Sequence, residues 1–419
     1  MEANGRDVLV AAALRNEVIR QTSSVELTAS GNIASAQVLE AQGSVFTNKY
    51  AEGYPFKRYY GGCEFADEVE TLATTRAKLV FNCRFANVQP HSGSQMNQAV
   101  FLAFLSPGDT IMGLDLKCGG HLTHGSPVNL SGKWFSAVSY GVRRHDGLVD
   151  MDEVLWKALA HRPKLIITGA TAYARVWDWE KFRLVADLIG AMLLADISHI
   201  AGLVAANLHP SPFPHCHIVT TTTHKSLRGP QGGLILTNEA DLAKKIDLSV
   251  FPGLQGGPSV QSIAAKAVAL FEALQPGFKL YASRVVANAK AMCCKLGQLG
   301  VGIVSGGTDN HLVLLSLSAF GITGKQLEAA LDRCHIVTNN NCVPFDANPP
   351  STTSGLTLGS CSCSTRGMRE PEFEALSEVI FSVLTRLRSK RIDFKFESSV
   401  RAQVFDLVDR FPVYVNRLY

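Results

Sequence analysis

The chain has 419 residues, of which 46% are hydrophobic and 18% charged, a composition typical of a globular protein with a large core. Its formal net charge is +4, and the absence of a basic block or zinc-finger spacing gives nucleic-acid binding no support. No apolar run reaches membrane-spanning length, since Asp187 interrupts the one from Leu184 to Leu194. Ten scattered cysteines, and an N-terminus without the features of a secretory signal, predict reduced thiols and a cytoplasmic protein.

The N-terminal part of the chain predicts a helix, a long loop and a second helix. Residues 7–25 have the mixed apolar and charged pattern of a helix, whereas residues 27–65, rich in Tyr, Gly and Asn, predict an irregular loop that carries function. Residues 65–79 predict another helix, and four of its apolar residues share one face: Phe65, Val69, Leu72 and Ala73.

Small residues and hydroxyls at the next loop-to-helix junction predict an anion site. His91-Ser92-Gly93-Ser94 precedes a helix predicted from Gln95 to Leu105. Such a junction exposes backbone N–H groups at the positive end of the helix dipole, although a plain helix cap is the alternative. A predicted strand, Thr110–Leu114, then leads to His121 in a glycine-rich loop.

Alternating strands and helices in the following segment predict a mostly parallel sheet. Lys164–Thr168, a helix near Trp179–Ile189 and a strand ending at Asp196 form a βαβ unit. Open α/β sheets bind ligands at the carboxyl ends of their strands, so Asp196 and the nearby His199 are candidate ligand-binding residues. A metal site at this pair is the less favoured alternative, because no other Cys or His falls at ligand spacing.

Lys225 lies between two predicted strands, His217–Thr221 and Leu234–Thr237, and is flanked by hydroxyls, an imidazole and glycines. Such a lysine is readily desolvated, which lowers its pKa and leaves an amine that can attack an aldehyde. A solvated lysine in a turn is the alternative. Together with an anion at Asp196, however, Lys225 completes the pair of groups that pyridoxal phosphate needs.

The C-terminal part predicts a smaller α/β unit. A long amphipathic helix, Ser259–Leu274, is broken at Gln275-Pro276-Gly277, where we place a domain boundary. The predicted division is an N-terminal arm of residues 1–26, a large domain of residues 27–275 and a small domain of residues 276–419. The small domain alternates short strands such as Leu312–Leu317 with helices predicted at 282–298, 324–333 and 370–388.

Several long stretches occur in an order found in one protein family: Glu40–Ser44, Thr47–Pro55, Arg58–Glu64, Gln89–Gln95 and Gly119–Gly125. On these motifs the chain resembles the serine hydroxymethyltransferases, pyridoxal-phosphate enzymes of the aspartate aminotransferase fold type. The resemblance runs from Leu27 to Thr365, with a further match at Arg410–Tyr414. It implies a mostly parallel seven-stranded sheet between helices, and a homodimer or homotetramer. It also implies transfer of the hydroxymethyl group of serine to tetrahydrofolate, giving glycine.

The resemblance also assigns roles to single residues. It implies that Lys225 holds the cofactor aldehyde, that Asp196 keeps the pyridine nitrogen protonated, and that His121 stacks on the ring. Glu52 is the implied general acid/base, and His199 is a further catalytic position. The other implied cofactor-binding residues are Ser92, Gly93, Ser94, Thr171, Thr222 and His224, with Tyr50 and Gly257 from the partner subunit. Implied substrate positions are Ser30, Tyr60 and Thr357, and implied folate positions are Glu52, Tyr59, Leu116, Gly120, Leu122 and Asn341; no metal is implied.

The chain departs from the family pattern at the positions implied for substrate and folate. A family motif ends in an arginine that forks onto the substrate carboxylate, but here Thr357 follows Ser354-Gly355-Leu356, and threonine carries no charge. Other departures are Gly31, Cys118, Gln231, Asn340 and the segment Pro349-Pro350-Ser351. Two alternatives therefore stay open. One is a same-fold aldolase or transaldolase acting on another amine, and the other is a cofactor-binding homologue with a structural or regulatory role.

Overall fold

The computed structural model describes residues 7–349 and 352–414. Its helices are α1 (Val8–Ser23), α2 (Ala36–Gln42), α3 (Glu64–Phe81), α4 (Gly93–Phe104), α5 (Leu130–Trp134), α6 (Met151–His161), α7 (Trp179–Ile189), α8 (Ala201–Ala205), α9 (Ala240–Leu248), α10 (Val260–Ala273), α11 (Pro276–Gln298), α12 (Gly324–Asp332), α13 (Cys361–Arg366), α14 (Glu370–Arg388) and α15 (Phe394–Arg410). Its strands are β1 (Val25–Glu26), β2 (Gly53–Tyr54), β3 (Lys57–Arg58), β4 (Phe85–Asn87), β5 (Thr110–Leu114), β6 (Ser136–Tyr140), β7 (Leu165–Thr168), β8 (Met192–Asp196), β9 (Ile218–Thr222), β10 (Gly233–Thr237), β11 (Gly302–Ile303), β12 (Leu312–Ser316), β13 (Ile336–Val337), β14 (Asn339–Asn341) and β15 (Gly355–Gly359).

Seven strands form the larger sheet in the order β4-β10-β9-β8-β7-β5-β6. The five strands from β9 to β6 run parallel, and β10 is antiparallel to both of its neighbours. Helices cover both faces of this sheet, so successive residues of β7 pack in different cores. Ile166 packs in the core with α7 and α10, and Leu165 packs in the core with α4. The predicted α/β fold, with a mostly parallel seven-stranded sheet, is confirmed.

Two predicted helices show how local sequence sets their ends. The helix predicted near Trp179–Ile189 is α7. Its N-cap residue is Asp178, whose side chain accepts a hydrogen bond from the backbone N–H of Lys181. It ends at Gly190, whose φ of 71° is the left-handed conformation that glycine adopts easily. By contrast, α11 begins at Pro276 and not at residue 282 as predicted, because a proline at the first helical position loses no hydrogen bond.

A second, antiparallel sheet has the order β11-β12-β15-β14. Its apolar residues, including Val313, Leu315 and Leu358, share a core with Phe373 and Ile380 of α14. The N-terminal strand β1 pairs in parallel with β13, more than 300 residues away along the chain. Among the described residues, no helix is both long and apolar enough to cross a membrane.

Two expectations about the N-terminal part were wrong. The predicted loop of residues 27–65 contains the helix α2. In α3, Phe65 and Leu72 of the predicted apolar face are 67% and 39% exposed. Ala73 of the predicted face is fully buried, and Val69 is partly buried. The buried residues of α3 are Ala66, Asp67, Glu70, Ala73, Ala77 and Phe81. Two carboxylates lie on this face because Arg58 of β3 pairs with both of them, at 2.8 Å and 2.6 Å.

Candidate active site

A cavity of about 170 Å³ lies at the carboxyl ends of β7, β8 and β9. Its lining brings together ten residues that were predicted to bind the cofactor within one chain: Ser92, Gly93, Ser94, His121, Thr171, Asp196, His199, Thr222, His224 and Lys225. His124, Ala170 and Ser198 complete the lining. Strand ends from one sheet edge therefore converge on a single small chamber, as the topology rule for α/β sheets predicts.

Asp196 is the fixed anion of this cavity. Its Oδ2 accepts a hydrogen bond from Asn97 Nδ2 at 2.9 Å and lies 3.2 Å from His124 Nε2, while its Oδ1 accepts from the backbone and hydroxyl of Ser198 at 3.1 Å and 2.5 Å. Burial by itself would raise the pKa of Asp196, but the hydrogen bond and charge of His124 hold it well below its usual value. Asp196 is therefore a rigid, ionised acceptor that suits a protonated ring nitrogen.

Lys225 provides the amine on the same cavity. Its Nζ forms no hydrogen bond or ion pair with the described residues, and burial lowers its pKa, opposed by the negative charge of Asp196. The backbone on either side is held firmly. The carbonyl of Lys225 accepts from Asn32 Nδ2 at 2.8 Å, and the carbonyl of Ser226 accepts from the Tyr281 hydroxyl at 3.2 Å. A buried amine without a partner, on an anchored backbone, suits covalent attachment of an aldehyde.

The N-terminus of α4 forms the anion-binding side of the cavity. Ser92 caps this helix by accepting a hydrogen bond from the backbone of Gln95 at 3.2 Å. A Cβ atom on Gly93 would lie only 2.7 Å from Thr222 Cγ2, so only glycine lets the helix start approach β9 this closely. The first N–H groups of α4 thus lie beside the hydroxyl of Ser94 at the cavity wall, an arrangement that suits a phosphate.

His121 and His224 contribute neutral imidazoles. Burial, helped by the charge of His124, lowers the pKa of His121 to about 4, and burial with the charge of Lys225 lowers the pKa of His224 to about 4. His121 Nδ1 lies 2.7 Å from the Thr123 hydroxyl, which fixes the orientation of the ring. His224 Nδ1 is buried without a hydrogen-bond partner. Together with Lys225 and Asp196, these groups fit an aldehyde cofactor with a phosphate and a basic aromatic ring.

Comparison with known proteins agrees with this geometry. The protein-family model described as "Serine hydroxymethyltransferase" matches residues 3–380 of this chain. The serine hydroxymethyltransferase of Paracoccus denitrificans is 60% identical over 413 residues, which cover 98% of this chain and 97% of that protein. Those of Novosphingobium aromaticivorans and Bartonella quintana are also 60% identical, over 410 and 411 residues, each covering 97% of this chain and 94% of the relative.

The chain belongs to the serine hydroxymethyltransferase family. The resemblance inferred from the sequence motifs is thereby confirmed. Enzymes of this family use pyridoxal 5'-phosphate and take tetrahydrofolate as co-substrate, and the residues that line the 170 Å³ cavity fit that cofactor.

A second group of predicted family residues lies outside the cavity. Tyr50 donates a hydrogen bond to Glu52 Oε1 at 3.4 Å, and the Tyr50 and Tyr60 rings lie 5.6 Å apart, edge to face. Gly257 packs beneath the Tyr50 ring, where a Cβ would lie 3.2 Å from Cζ. The nearby charge of Glu52 raises the pKa of the Tyr60 hydroxyl. Tyr50 is 57% exposed, so within one chain this group, which we call the tyrosine cluster, faces solvent.

The predicted substrate and folate positions do not line the cavity. Thr357 is only 1% exposed, and its hydroxyl accepts a hydrogen bond from Asn341 Nδ2 at 3.0 Å, so these two side chains satisfy each other. Ser30 is half-buried. Of the implied folate residues, Tyr59, Leu116 and Leu122 are exposed at the surface, while Gly120 packs against the Leu114 carbonyl, where a Cβ would lie 2.0 Å away.

Two basic residues, Arg58 and Lys117, do not line the 170 Å³ cavity. Arg58 is engaged by Asp67 and Glu70 and is 4% exposed, so its guanidinium is not free. Lys117 lines a separate cavity of about 550 Å³ together with Cys118 and Cys342. Pro350 and Ser351, which were singled out as departures from the family pattern, lie outside the described residues.

Several residues of the site were missed by sequence reasoning. Asn97 follows Gly93 by one helical turn, and this spacing could have indicated that both lie on the same side of α4. His124 and Ser198 lie within matched or neighbouring segments but carried no signal of their own. Asn32 contacts Lys225 from 193 residues away along the chain, and His311 contacts His199 from 112 residues away. No local sequence pattern indicated either contact.

Proposed function

We propose that this chain is a pyridoxal-phosphate-dependent enzyme that moves a hydroxymethyl group between serine and tetrahydrofolate, giving glycine. The observation that carries the proposal is the pair formed by Lys225 and Asp196. One is a buried amine that has no partner in the part of the chain that the structure describes. The other is an ionised carboxylate on the same cavity, held by three side chains. Family membership supports the same reaction.

When bound, the cofactor supplies an aldehyde that joins amines and a protonated ring that stabilises negative charge on the substrate carbon. Lys225 would hold that aldehyde covalently, and Asp196 would keep a proton at the ring nitrogen. His121, neutral because burial lowers its pKa, would cover one face of the ring without adding charge. Ser92, Gly93 and Ser94 would hold the phosphate with hydroxyls and backbone N–H groups.

The remaining roles require a second copy of the chain. We propose a homodimer, or a tetramer of such dimers, in which the tyrosine cluster of one protomer reaches the cavity of its partner. Glu52 would then donate and accept a proton at the hydroxymethyl oxygen. Tyr50 and Gly257 would contact the phosphate side of the same cavity. The exposure of Tyr50 and its absence from the chain's own cavity lining support this arrangement.

We also propose that binding of the substrate carboxylate is weakened in this chain. Thr357 stands at the position where family members carry an arginine, and its hydroxyl already accepts from Asn341. Loss of a charged bidentate contact costs about 2–5 kcal/mol of binding. Serine turnover should therefore be slow, with a high KM for serine, because poor anchoring also misplaces the reacting carbon.

Compartment and domain division complete the proposal. Ten free cysteines, most of them buried, support a reducing compartment, for which we propose the cytoplasm. We keep the division at residue 275 as a proposal, supported by the separate apolar cores on the two sheets. The start of α11, from Phe278 to Val285, still packs in the core of the first sheet.

The proposal is tested by reconstituting the purified full-length protein with pyridoxal phosphate. We expect a yellow protein that forms glycine from serine only when tetrahydrofolate is present. Lys225→Ala should abolish both the covalently held chromophore and turnover, whereas the control Lys117→Ala, in the other cavity, should keep the chromophore. A wild-type protein that stays colourless would reject the proposal. A yellow protein that ignores serine but turns over another amine would favour the alternative substrate.

A further inference from the structure

His311 is a buried histidine to which the proposed function gives no role. It is completely buried just before β12, and its Nε2 lies 3.1 Å from the Ala29 carbonyl oxygen and 3.4 Å from His199 Nδ1. Its other nitrogen, Nδ1, is buried and has no hydrogen-bond partner among residues 7–349 and 352–414. His199, in turn, lines the 170 Å³ cavity, and its Nε2 makes no hydrogen bond within the described residues.

Both imidazoles are neutral near neutral pH. Burial, together with the positive charge of Lys225, lowers the pKa of His199 well below its usual value. Burial also lowers the pKa of His311 to about 4, even though the Ala29 carbonyl acts in the opposite direction. Each ring therefore carries one proton, and the hydrogen-bond partners decide which nitrogen holds it.

The contacts leave one consistent arrangement of these two protons. A proton on His311 Nε2 is donated to the Ala29 carbonyl, whose only hydrogen bond within the described residues is this one. His199 Nδ1 must then be unprotonated, since two N–H groups cannot face each other at 3.4 Å. The opposite choice would leave both His311 Nδ1–H and the Ala29 carbonyl buried and unpaired, which is unfavourable.

We propose that His311 is a positioning residue that fixes His199 as an Nε2–H donor toward the ligand bound in the cavity. The proton on His311 Nε2 is also donated to the Ala29 carbonyl. Ala29 precedes Ser30, which lies in the segment implied to contact substrate. The contact thus links the second sheet, through β12, to the strand-end cavity of the first. The inference rests on the proposed function only in taking the bound ligand to be the cofactor.

Three variants separate this role from a merely structural one. In His311→Gln, the amide nitrogen can occupy the position of Nε2 and still donate to Ala29. In His311→Asn, the shorter side chain places its amide only at the position of Nδ1. The hydrogen-bond donor to the Ala29 carbonyl is then lost, although the polarity of the side chain is similar. In His311→Leu, no donor remains. The buried His209, which bonds to Pro210 and Trp177 away from the cavity, provides the control variant His209→Gln.

The primary measurement is the tautomer of His199 in the full-length, cofactor-loaded protein. Long-range ¹H–¹⁵N correlation spectra of ¹⁵N-histidine-labelled protein distinguish Nε2–H from Nδ1–H rings, and loss of a signal in His199→Gln assigns it. We expect the Nε2–H form in the wild type, in His209→Gln and in His311→Gln. In His311→Asn and His311→Leu, the Nδ1–H form should appear. If His311→Leu fails to fold, the Gln and Asn variants still give the comparison.

Cofactor affinity provides the second readout. The dissociation constant for pyridoxal phosphate should rise about tenfold in His311→Asn and return toward the wild-type value in His311→Gln. An Nδ1–H ring in the wild type, or an Nε2–H ring that persists in His311→Asn, would overturn the inference. Equal affinity in the Gln and Asn variants would overturn it as well. Failure of the wild type to bind the cofactor would reject the proposed function. The same tautomer comparison would then be made on the cofactor-free protein, where the same outcomes decide on His311.

Discussion

At the scale of single residues, the proposed weakening of substrate binding depends on Thr357. Its side chain is 1% exposed and lies on the central part of β15, between β12 and β14. The hydroxyl accepts a hydrogen bond from Asn341 Nδ2 at 3.0 Å, so the two side chains form a neutral pair. The cost that we propose would fall on substrate binding, since Thr357 does not line the cofactor cavity.

We predict that Thr357→Arg lowers the KM for serine and raises kcat/KM by roughly thirtyfold or more, because a bidentate contact contributes about 2–5 kcal/mol. The larger side chain should also lower the free energy of unfolding by about 1–3 kcal/mol, since the site is fully packed. Steady-state kinetics and urea denaturation measure the two effects. Thr357→Val, which removes only the hydroxyl, is the control and should show no gain. An unchanged KM in Thr357→Arg would show that serine is bound elsewhere.

At the scale of elements, the contact between the β2–β3 hairpin and α3 depends on one buried arginine. Arg58 donates to Asp67 and Glu70 on α3 and to the backbone carbonyls of Ala51 and Gly53. Burial raises the pKa of Glu70, and Arg58 opposes that rise. The hairpin follows Tyr50 and Glu52 directly, so this ion pair holds the tyrosine cluster in place.

We predict that Arg58→Met lowers the free energy of unfolding by about 3–5 kcal/mol, because it leaves two buried carboxylates without a counter-charge. The matched control is Arg143→Met, which breaks an ion pair with Asp146 at the surface and should cost at most about 1 kcal/mol. Urea denaturation monitored by circular dichroism measures both. Similar losses for the two variants would contradict the assigned importance of the buried pair.

At the scale of the whole molecule, buried neutral histidines make stability depend on pH. Burial lowers the pKa values of His121, His224 and His311 from 6.5 to about 4. Between pH 6.5 and 4 the unfolded chain binds protons that the folded chain does not bind. Stability is therefore fully present above pH 6.5 and is lost as the pH falls toward 4.

We predict that the urea midpoint falls steadily from pH 7 to pH 5, with up to about 1.4 kcal/mol per pH unit from each such histidine. His311→Gln removes one of these groups, so its stability should depend less steeply on pH than that of the wild type. A midpoint that does not change between pH 7 and pH 5 would contradict this account.

The proposed dimer has active sites that combine residues of two chains, so two inactive variants should complement each other. Glu52→Gln and Lys225→Ala should each be inactive as homodimers, but co-expression should restore activity. Random pairing makes half of the dimers mixed, and each mixed dimer has one intact composite site, so about a quarter of wild-type activity should return. Isolated mixed dimers without activity would show that Glu52 serves its own chain.

The sequence by itself determined much of the large sheet and singled out the residues that we propose to be reactive. The strand Thr110–Leu114 and the helix Trp179–Ile189 form as predicted, because their apolar pattern and end residues act locally. Lys225, Asp196 and the Ser92-Gly93-Ser94 junction were recognisable because each follows or precedes a predicted element at a sheet edge. These inferences needed only neighbours in the chain.

Only the tertiary structure decided the rest. The buried face of α3 carries Glu70 rather than Phe65, because Arg58 arrives from another element to pair with it. Asn97 holds Asp196 across 99 residues of sequence, and His311 meets His199 across 112. Neither contact leaves a periodic pattern in the sequence. Hydrogen bonds and burial depend on distance in space, so the residues that set charge and proton position in this site become visible only once the chain is folded.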